Sequence, residues 1–332
     1  MGPVGIVLIV IGVLLIGGIV SMLAVTLPIS KKVYEGVLVR KDKDCWGRVC
    51  SAPDNEEQIA MWNIGVKWAE EQKEHMEEVQ IENDGLRLFG EFYNYGGDKC
   101  VIILPGRCES LMYSYFFAAP YPKAGFNVLV IDNRAHGKSD GKYTTIGHKE
   151  SGDILKWISF IENKYGIKEI YLHGICIGSA GAMLAMNNKD CPDSVKGLIA
   201  EGSFYTFRET FKTHMIRDKR PLFPVLDLVM LRLMKTTGMR VYRDSPARNV
   251  KFLRQPVLFI YSEKDVFSLP KMSEKLFKRC GSKDKHIAWF TDGNHSHIRL
   301  AHPVEYDNAV TAFITGTLPD KQIISALEEF RA

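Results

Sequence analysis

Hydrophobic and polar positions divide this chain into three stretches. Residues 2–30 carry no charged side chain, and Val4–Leu27 is almost entirely Val, Ile, Leu and Gly. An apolar run of that length predicts a helix able to cross a hydrocarbon layer of ~30 Å. It is longer than the apolar core of a signal peptide and lacks the basic segment that precedes one. Residues 1–30 are therefore expected to be an uncleaved transmembrane anchor. Residues 31–78 read as a juxtamembrane linker followed by a packing helix over about 55–78, with Ile59, Trp62, Val66 and Trp68 partly on one side.

From Val79 the period changes. Val79–Glu82 and Leu86–Phe92 alternate around Asn83-Asp84-Gly85, the signature of a hairpin. Short apolar runs follow at 100–104, 127–131, 170–172, 195–200, 257–261 and 286–290. Helical spacing separates several of them, as in Ile154, Leu155, Trp157, Ile158 and Ile161. Continuous apolar strands alternating with helices predict a mostly parallel sheet, here eight-stranded, covered by helices on both faces.

Composition adds mainly exclusions. With 332 residues and a net charge of +4, the chain has no long basic run, so no nucleic-acid partner is expected. The cysteines, at 45, 50, 100, 108, 176, 191 and 280, are odd in number and scattered, with no Cys-x-x-Cys pair. Neither a disulfide framework, a metal site nor a cofactor is expected. Lys31, Lys32, Arg40, Lys41, Lys43 and Arg48 outnumber Glu35, Asp42 and Asp44 just after the apolar run. That bias predicts a single-pass protein with its large domain on the cytoplasmic side.

The candidate chemistry centres on Gly174-Ile175-Cys176-Ile177-Gly178, between a buried strand and a run of small residues, Ser179-Ala-Gly-Ala182. A nucleophile flanked by glycines in this way stands at the tip of a tight strand-to-helix turn. A buried cysteine can also be no more than a small apolar group. The surrounding motifs are Pro105-Gly106, Asp132-x-Arg-x-His-Gly-x-Ser139 and Glu150-x-x-Asp153, with Asp265 and His295 after later strands. With these, the chain from about 79 to 317 resembles an α/β-hydrolase. The nearest likeness is to the bacterial membrane-anchored or secreted branch related to serine aminopeptidases and dipeptidyl-peptidase-like esterases.

The resemblance implies a hydrolase domain over 79–318, a helical lid at 204–250 and a C-terminal helix at 319–332. It implies Cys176 as nucleophile, His295 as base and Asp265 as the acid that orients the base, with His297 and His302 as rival bases and Glu201 as fallback acid. The backbone N–H groups of Ile177 and Arg107 are the expected oxyanion donors. Cys in place of Ser leaves three readings. One is hydrolysis of an ester, lactone or thioester through a thioester on Cys176, as in dienelactone hydrolases. Another is acyl transfer, as in the bile-acid amino-acid transferases, and the last is a non-catalytic module. The first two imply a small-molecule acyl substrate.

Overall fold

The structure is a computed structural model that describes residues 2–40, 56–318 and 323–325. The segments 41–55, 319–322 and 326–332 lie outside the described residues, as do most of the expected linker and most of the expected C-terminal helix.

The strands are β1 (Met76–Asn83), β2 (Leu86–Tyr93), β3 (Lys99–Leu104), β4 (Asn127–Ile131), β5 (Glu169–Ile175), β6 (Val195–Glu201), β7 (Val257–Ser262), β8 (Lys285–Phe290) and β9 (Ile323–Ser325). They form one sheet in the order β1-β2-β4-β3-β5-β6-β7-β8-β9. β1 and β2 are antiparallel to their neighbours, and β3 to β9 run parallel. The eight expected strands are present. β9 is a short ninth, pairing with β8 inside the segment expected to be a helix.

The helices are α1 (Pro3–Leu38), α2 (Glu56–Glu71), α3 (Leu111–Ala118), α4 (Pro120–Lys123), α5 (Glu150–Tyr165), α6 (Ile177–Met186), α7 (Phe207–Arg217), α8 (Val225–Thr237), α9 (Pro246–Asn249), α10 (Pro270–Arg279), α11 (Ile298–Ala301) and α12 (Pro303–Ile314). Side chains alternate across the sheet, so each central strand feeds two cores. Ile102, Leu104, Leu129 and Ile131 pack under α5, α6 and α10 with Trp157, Met183 and Leu276. Val101, Ile103, Val128 and Val130 face the other way, toward Met61 of α2, Phe116 of α3 and Phe313 of α12.

Two boundaries differ from expectation. The helix expected to reach residue 78 ends at Glu71, and β1 starts at Met76 rather than Val79. Glu77 and Glu78 look helical by composition, but Glu77 pairs with Lys164 and Glu78 with Lys138, and these partners are set by the tertiary fold. The N-terminal helix continues past residue 30 to Leu38. Its last turns bury Tyr34 and Leu38 against Phe207 and Phe211 of α7 and Val229 and Leu233 of α8. The 204–250 insertion is helical, and it packs on the end of the membrane-length helix as well as over the sheet.

The loop after β4 is a structural knot. Arg134 forms a buried two-point ion pair with Asp153 of α5, through Nε to Oδ2 at 2.7 Å and Nη2 to Oδ1 at 2.6 Å. Asp132 accepts the N–H groups of Leu111 and Lys138 at 2.7 and 2.8 Å. Glu150 accepts those of Thr145 and Gly147.

The tightest packing lies at the turn between β5 and α6. Cys176 has φ 52° and ψ −107°, in the left-handed half of backbone space that residues with a Cβ rarely occupy. A Cβ on Gly174 would collide with the backbone of Gly178 and Ser179, and one on Gly178 with the Leu104 carbonyl. Gly178→Ala should therefore destabilise the domain by about 3 kcal/mol. Gly152→Ala, within α5 and with only Asn83 Nδ2 at 3.6 Å from the new Cβ, should be neutral or stabilising. Thermal unfolding of the two variants beside the parent checks both expectations.

Candidate active site

The three residues singled out for chemistry come together at the C-terminal edge of the sheet. Cys176 sits at the turn into α6, and its own N–H donates to the Glu201 carbonyl at 3.0 Å. Asp265 follows β7 and His295 follows β8. Asp265 is 2% exposed. Its Oδ1 accepts the N–H groups of Phe267 and Ser268 at 2.8 and 2.7 Å, and its Oδ2 meets His295 Nδ1 at 2.7 Å. The carboxylate is thus fully occupied and its direction fixed. Gly202, at φ 54°, gives the imidazole room, because a Cβ there would stand 2.9 Å from His295 Cε1. Phe267 packs edge-on against the same ring at 5.3 Å.

Electrostatics follow from this geometry. Burial would push the Asp265 carboxyl up, but the charge and hydrogen bond of His295, with the two backbone donors, hold it below the usual carboxylate range. Burial likewise opposes a charged imidazole at His295, yet Asp265 and Cys176 outweigh it and raise the ring well above an ordinary histidine. Nδ1 is committed to Asp265, so Nε2 is the nitrogen left to serve the thiol. Asp265 thus draws the imidazole toward its charged form, and the free N–H groups at the start of α6 favour negative charge at that turn.

The rivals are occupied elsewhere. His297 pairs through Nδ1 with Glu57 at 2.5 Å. His302 packs against Phe290 with ring centroids 5.2 Å apart. The Glu201 carboxylate points beneath the site, hydrogen-bonded to Tyr306 and 3.6 Å from His173 Nε2, rather than toward His295.

The N–H groups of Ile177 and Arg107 have no protein acceptor among the described residues. Their neighbours do. Gly106 N–H donates to Glu109 Oε2 at 2.8 Å, and Cys108 N–H donates to His136 Nε2 at 3.2 Å. His136 can accept because its Nδ1 donates to the Arg134 carbonyl at 2.9 Å, and burial pushes its pKa down to about 4, keeping it neutral. That contact holds Cys108 at φ 64° and shapes the loop after β3.

Cys176 opens into a cleft of about 860 Å³. Phe204, with Phe207 and Phe211 of α7, gives it an apolar wall. His214 and Arg217 of α7, with Glu56 and Glu57 of α2, also line it, and the sequence reading did not single them out. The spacing Phe207, Phe211, His214, Arg217 marks one helical face and was the available signal. His214 stacks on Phe267 at 4.3 Å. Burial, then Arg107 and Arg217, push its pKa down to about 3, so it stays neutral. No group of His, Cys, Asp or Glu fit to hold a metal occurs among the described residues.

Comparison with known proteins agrees with this architecture. Residues 99–229 match the α/β hydrolase fold family. The uncharacterized protein YqkD of Bacillus subtilis is 29% identical over 217 residues, covering 64% of this chain and 70% of that protein. Protein bem46 of Schizosaccharomyces pombe is 30% identical over 178 residues, covering 53% of this chain and 54% of the other. The lysophosphatidylserine lipase ABHD12 of Mus musculus is 23% identical over 208 residues, covering 60% and 50%. The chain thus spans about half the length of the last two. Among solved structures, esterase Pf2001 of Pyrococcus furiosus superposes with a TM-score of 0.63 at 23% identity, covering 75% of this chain and 93% of that one. Strand order, the turn at Cys176 and the family match converge on one conclusion: from β1 to α12 this chain has the α/β-hydrolase fold.

Proposed function

We propose that the chain is a carboxylic-ester hydrolase that works through a thioester on Cys176. The observation that carries this is the unbroken line from the buried Asp265 carboxylate through His295 to the Cys176 thiol. His295 Nε2 takes the thiol proton as sulfur attacks the ester carbonyl. The carbonyl oxygen becomes an oxyanion facing the N–H groups of Ile177 and Arg107. As the tetrahedral intermediate collapses, the protonated His295 gives its proton to the leaving alkoxide, which departs as an alcohol. Water then attacks the thioester with His295 as base, and as the second tetrahedral intermediate collapses to the acid product the proton on His295 passes to the departing sulfur, restoring the thiol and the neutral imidazole. Asp265 keeps Nδ1 protonated throughout.

The relatives named as a lipase and an esterase support this chemistry, and the apolar lid wall suits the acyl part of the substrate. A thiolate leaves more readily than an alkoxide, so esters, lactones and thioesters suit this site better than amides. The apolar stretch of α1 spans a membrane and holds the domain at its cytoplasmic face, with Lys31 and Lys32 at the boundary. The membrane-anchored branch of the family fits this arrangement.

Intact mass of the full chain in micelles, after brief exposure to a p-nitrophenyl acyl ester, is the direct test. An acyl adduct that forms on the parent, is missing in Cys176→Ala and decays in water is the expected result. An adduct that persists until an amine or thiol acceptor is added indicates acyl transfer instead. No adduct across a series of acyl lengths refutes both.

The ion pair also sets a pH dependence. His295 is raised in the fold, so its stabilisation is complete below the unfolded histidine value of about 6.5 and fades as pH rises through the raised value. Asp265 is lowered, so its contribution is complete above about 3.9 and is lost as pH falls through the lowered value. Asp265→Asn should therefore lower the thermal midpoint most between about pH 4 and 6.5. The same change should reduce kcat by about 100-fold or more, read from initial rates.

A further inference from the structure

The membrane-length helix does more than end near the domain. Its last turn touches both loops that shape the oxyanion site. Nη1 of Arg107, the residue whose backbone N–H is the second oxyanion donor of the proposed mechanism, lies 3.2 Å from the Val37 carbonyl and 3.0 Å from Cys108 Sγ. The Val37 carbonyl lies in the last turn of α1, where carbonyls have no intrahelical donor. It stands at the negative end of the helix dipole, which favours a guanidinium.

A second tie follows at once. Arg40 is 8% exposed, and its Nη1 and Nη2 donate to the Ser139 and Gly137 carbonyls at 2.7 and 2.6 Å. Its backbone N–H donates to the Lys142 carbonyl at 2.8 Å, and Val39 bridges to Tyr143. The loop so gripped carries His136, which accepts the Cys108 N–H, and Asp132, which accepts the Leu111 N–H. The end of α1 thus reaches the segment 107–111 directly through Arg107 and indirectly through Arg40.

We propose that the C-terminal turn of α1 is a working part of the active site. The Val37 carbonyl, through the Arg107 side chain, and Arg40, through the 137–139 backbone, hold the Arg107 N–H on the position of the oxyanion. The proposal rests on the ester-hydrolase reading. Arg107 has two separable roles in it: its N–H meets the substrate, and its side chain is a positioning group. Val37 lies about 15 Å along the helix from Leu27, the end of the long apolar run. The oxyanion loop is therefore wired to a point just outside the bilayer, and the state of α1 bears on the rate of acylation.

The test uses the full chain in micelles with a neutral p-nitrophenyl ester. Arg107→Ala keeps the backbone N–H and removes the tether. It should lower kcat and the single-turnover acylation rate of Cys176 by about 10- to 100-fold, with KM and thermal midpoint unchanged. Arg107→Lys, which restores a cationic donor toward Val37, should recover most of the loss. Arg40→Lys, milder than a truncation that would strand buried carbonyls, should lower kcat in the same direction.

Parent-like kcat in Arg107→Ala overturns the proposal. So does a rise in KM at constant kcat, which would make the side chain a substrate contact, and so does a fall in kcat matched by a fall in thermal midpoint, which a merely structural role predicts. If Cys176→Ala turns over like the parent, the hydrolase reading itself falls and the proposal falls with it. That outcome is read from a different variant, so the two failures are distinct.

Discussion

The constraint on which the rest depends is the lack of space between the first turn of α6 and the end of β3. The Leu104 carbonyl occupies the volume a side chain on residue 178 would need, and the start of α6 occupies that of one on residue 174. The chain therefore turns from strand to helix within a few residues, and Cys176 is left with a left-handed backbone. Strain of this kind costs on the order of 1–3 kcal/mol and persists only where the surroundings over-determine it. Here they do. β5 is hydrogen-bonded on both sides, by β3 and β6, and α6 is packed beneath α5. The same compression brings the first turn of α6 against the end of β3 at Leu104, with the Ile177 N–H at its start left without a protein acceptor among the described residues.

Charge in the cleft is arranged around that point. His214 is neutral and stacked, His295 is pulled toward the charged form, and the difference lies in their partners. His295 has a carboxylate behind it, whereas His214 faces Arg107 and Arg217. One pocket thus holds two imidazoles driven in opposite directions, one kept neutral and the other drawn toward the charged form. Arg217 rests over the face of Phe267, with its guanidinium carbon 4.7 Å from the ring centre, and pairs with Asp218 at 2.9 Å. The ring that meets His295 edge-on thus also carries the Arg217 guanidinium of α7.

Much of this was legible in the sequence, because it rests on short-range signals. Apolar runs such as Val101–Leu104 and Val128–Ile131 feed two cores by strict alternation, and Asp84-Gly85 marks its hairpin with two positive φ angles. The Gly-x-Cys-x-Gly spacing located the strained turn, and Asp265 and His295 came from the α/β-hydrolase resemblance, which expects an acid and a base after later strands. What escaped depended on partners distant in sequence. Glu77 and Glu78 lie in a strand because Lys164 and Lys138 meet them across the fold. His297 and His302 could not be told from His295 until Glu57 and Phe290 were seen beside them. The extension of α1 to Leu38 escaped for the same reason: Tyr34 is buried in a cluster with residues of α7 and α8, far along the chain.

The continuity of α1 has a mechanical side. A domain hung on a flexible tether moves independently of the segment before it, but α1 runs helical from Pro3 to Leu38 and is clamped at its end by Arg107 and Arg40. The domain and the lower part of α1 therefore move as one lever. Its joint lies at Pro28, which has no N–H to give the Ala24 carbonyl and so weakens the helix at the point where the apolar run stops. A change of direction at Pro28 would therefore be carried to the cleft by the whole arm from Ile29 to Leu38, rather than being absorbed between helix and domain.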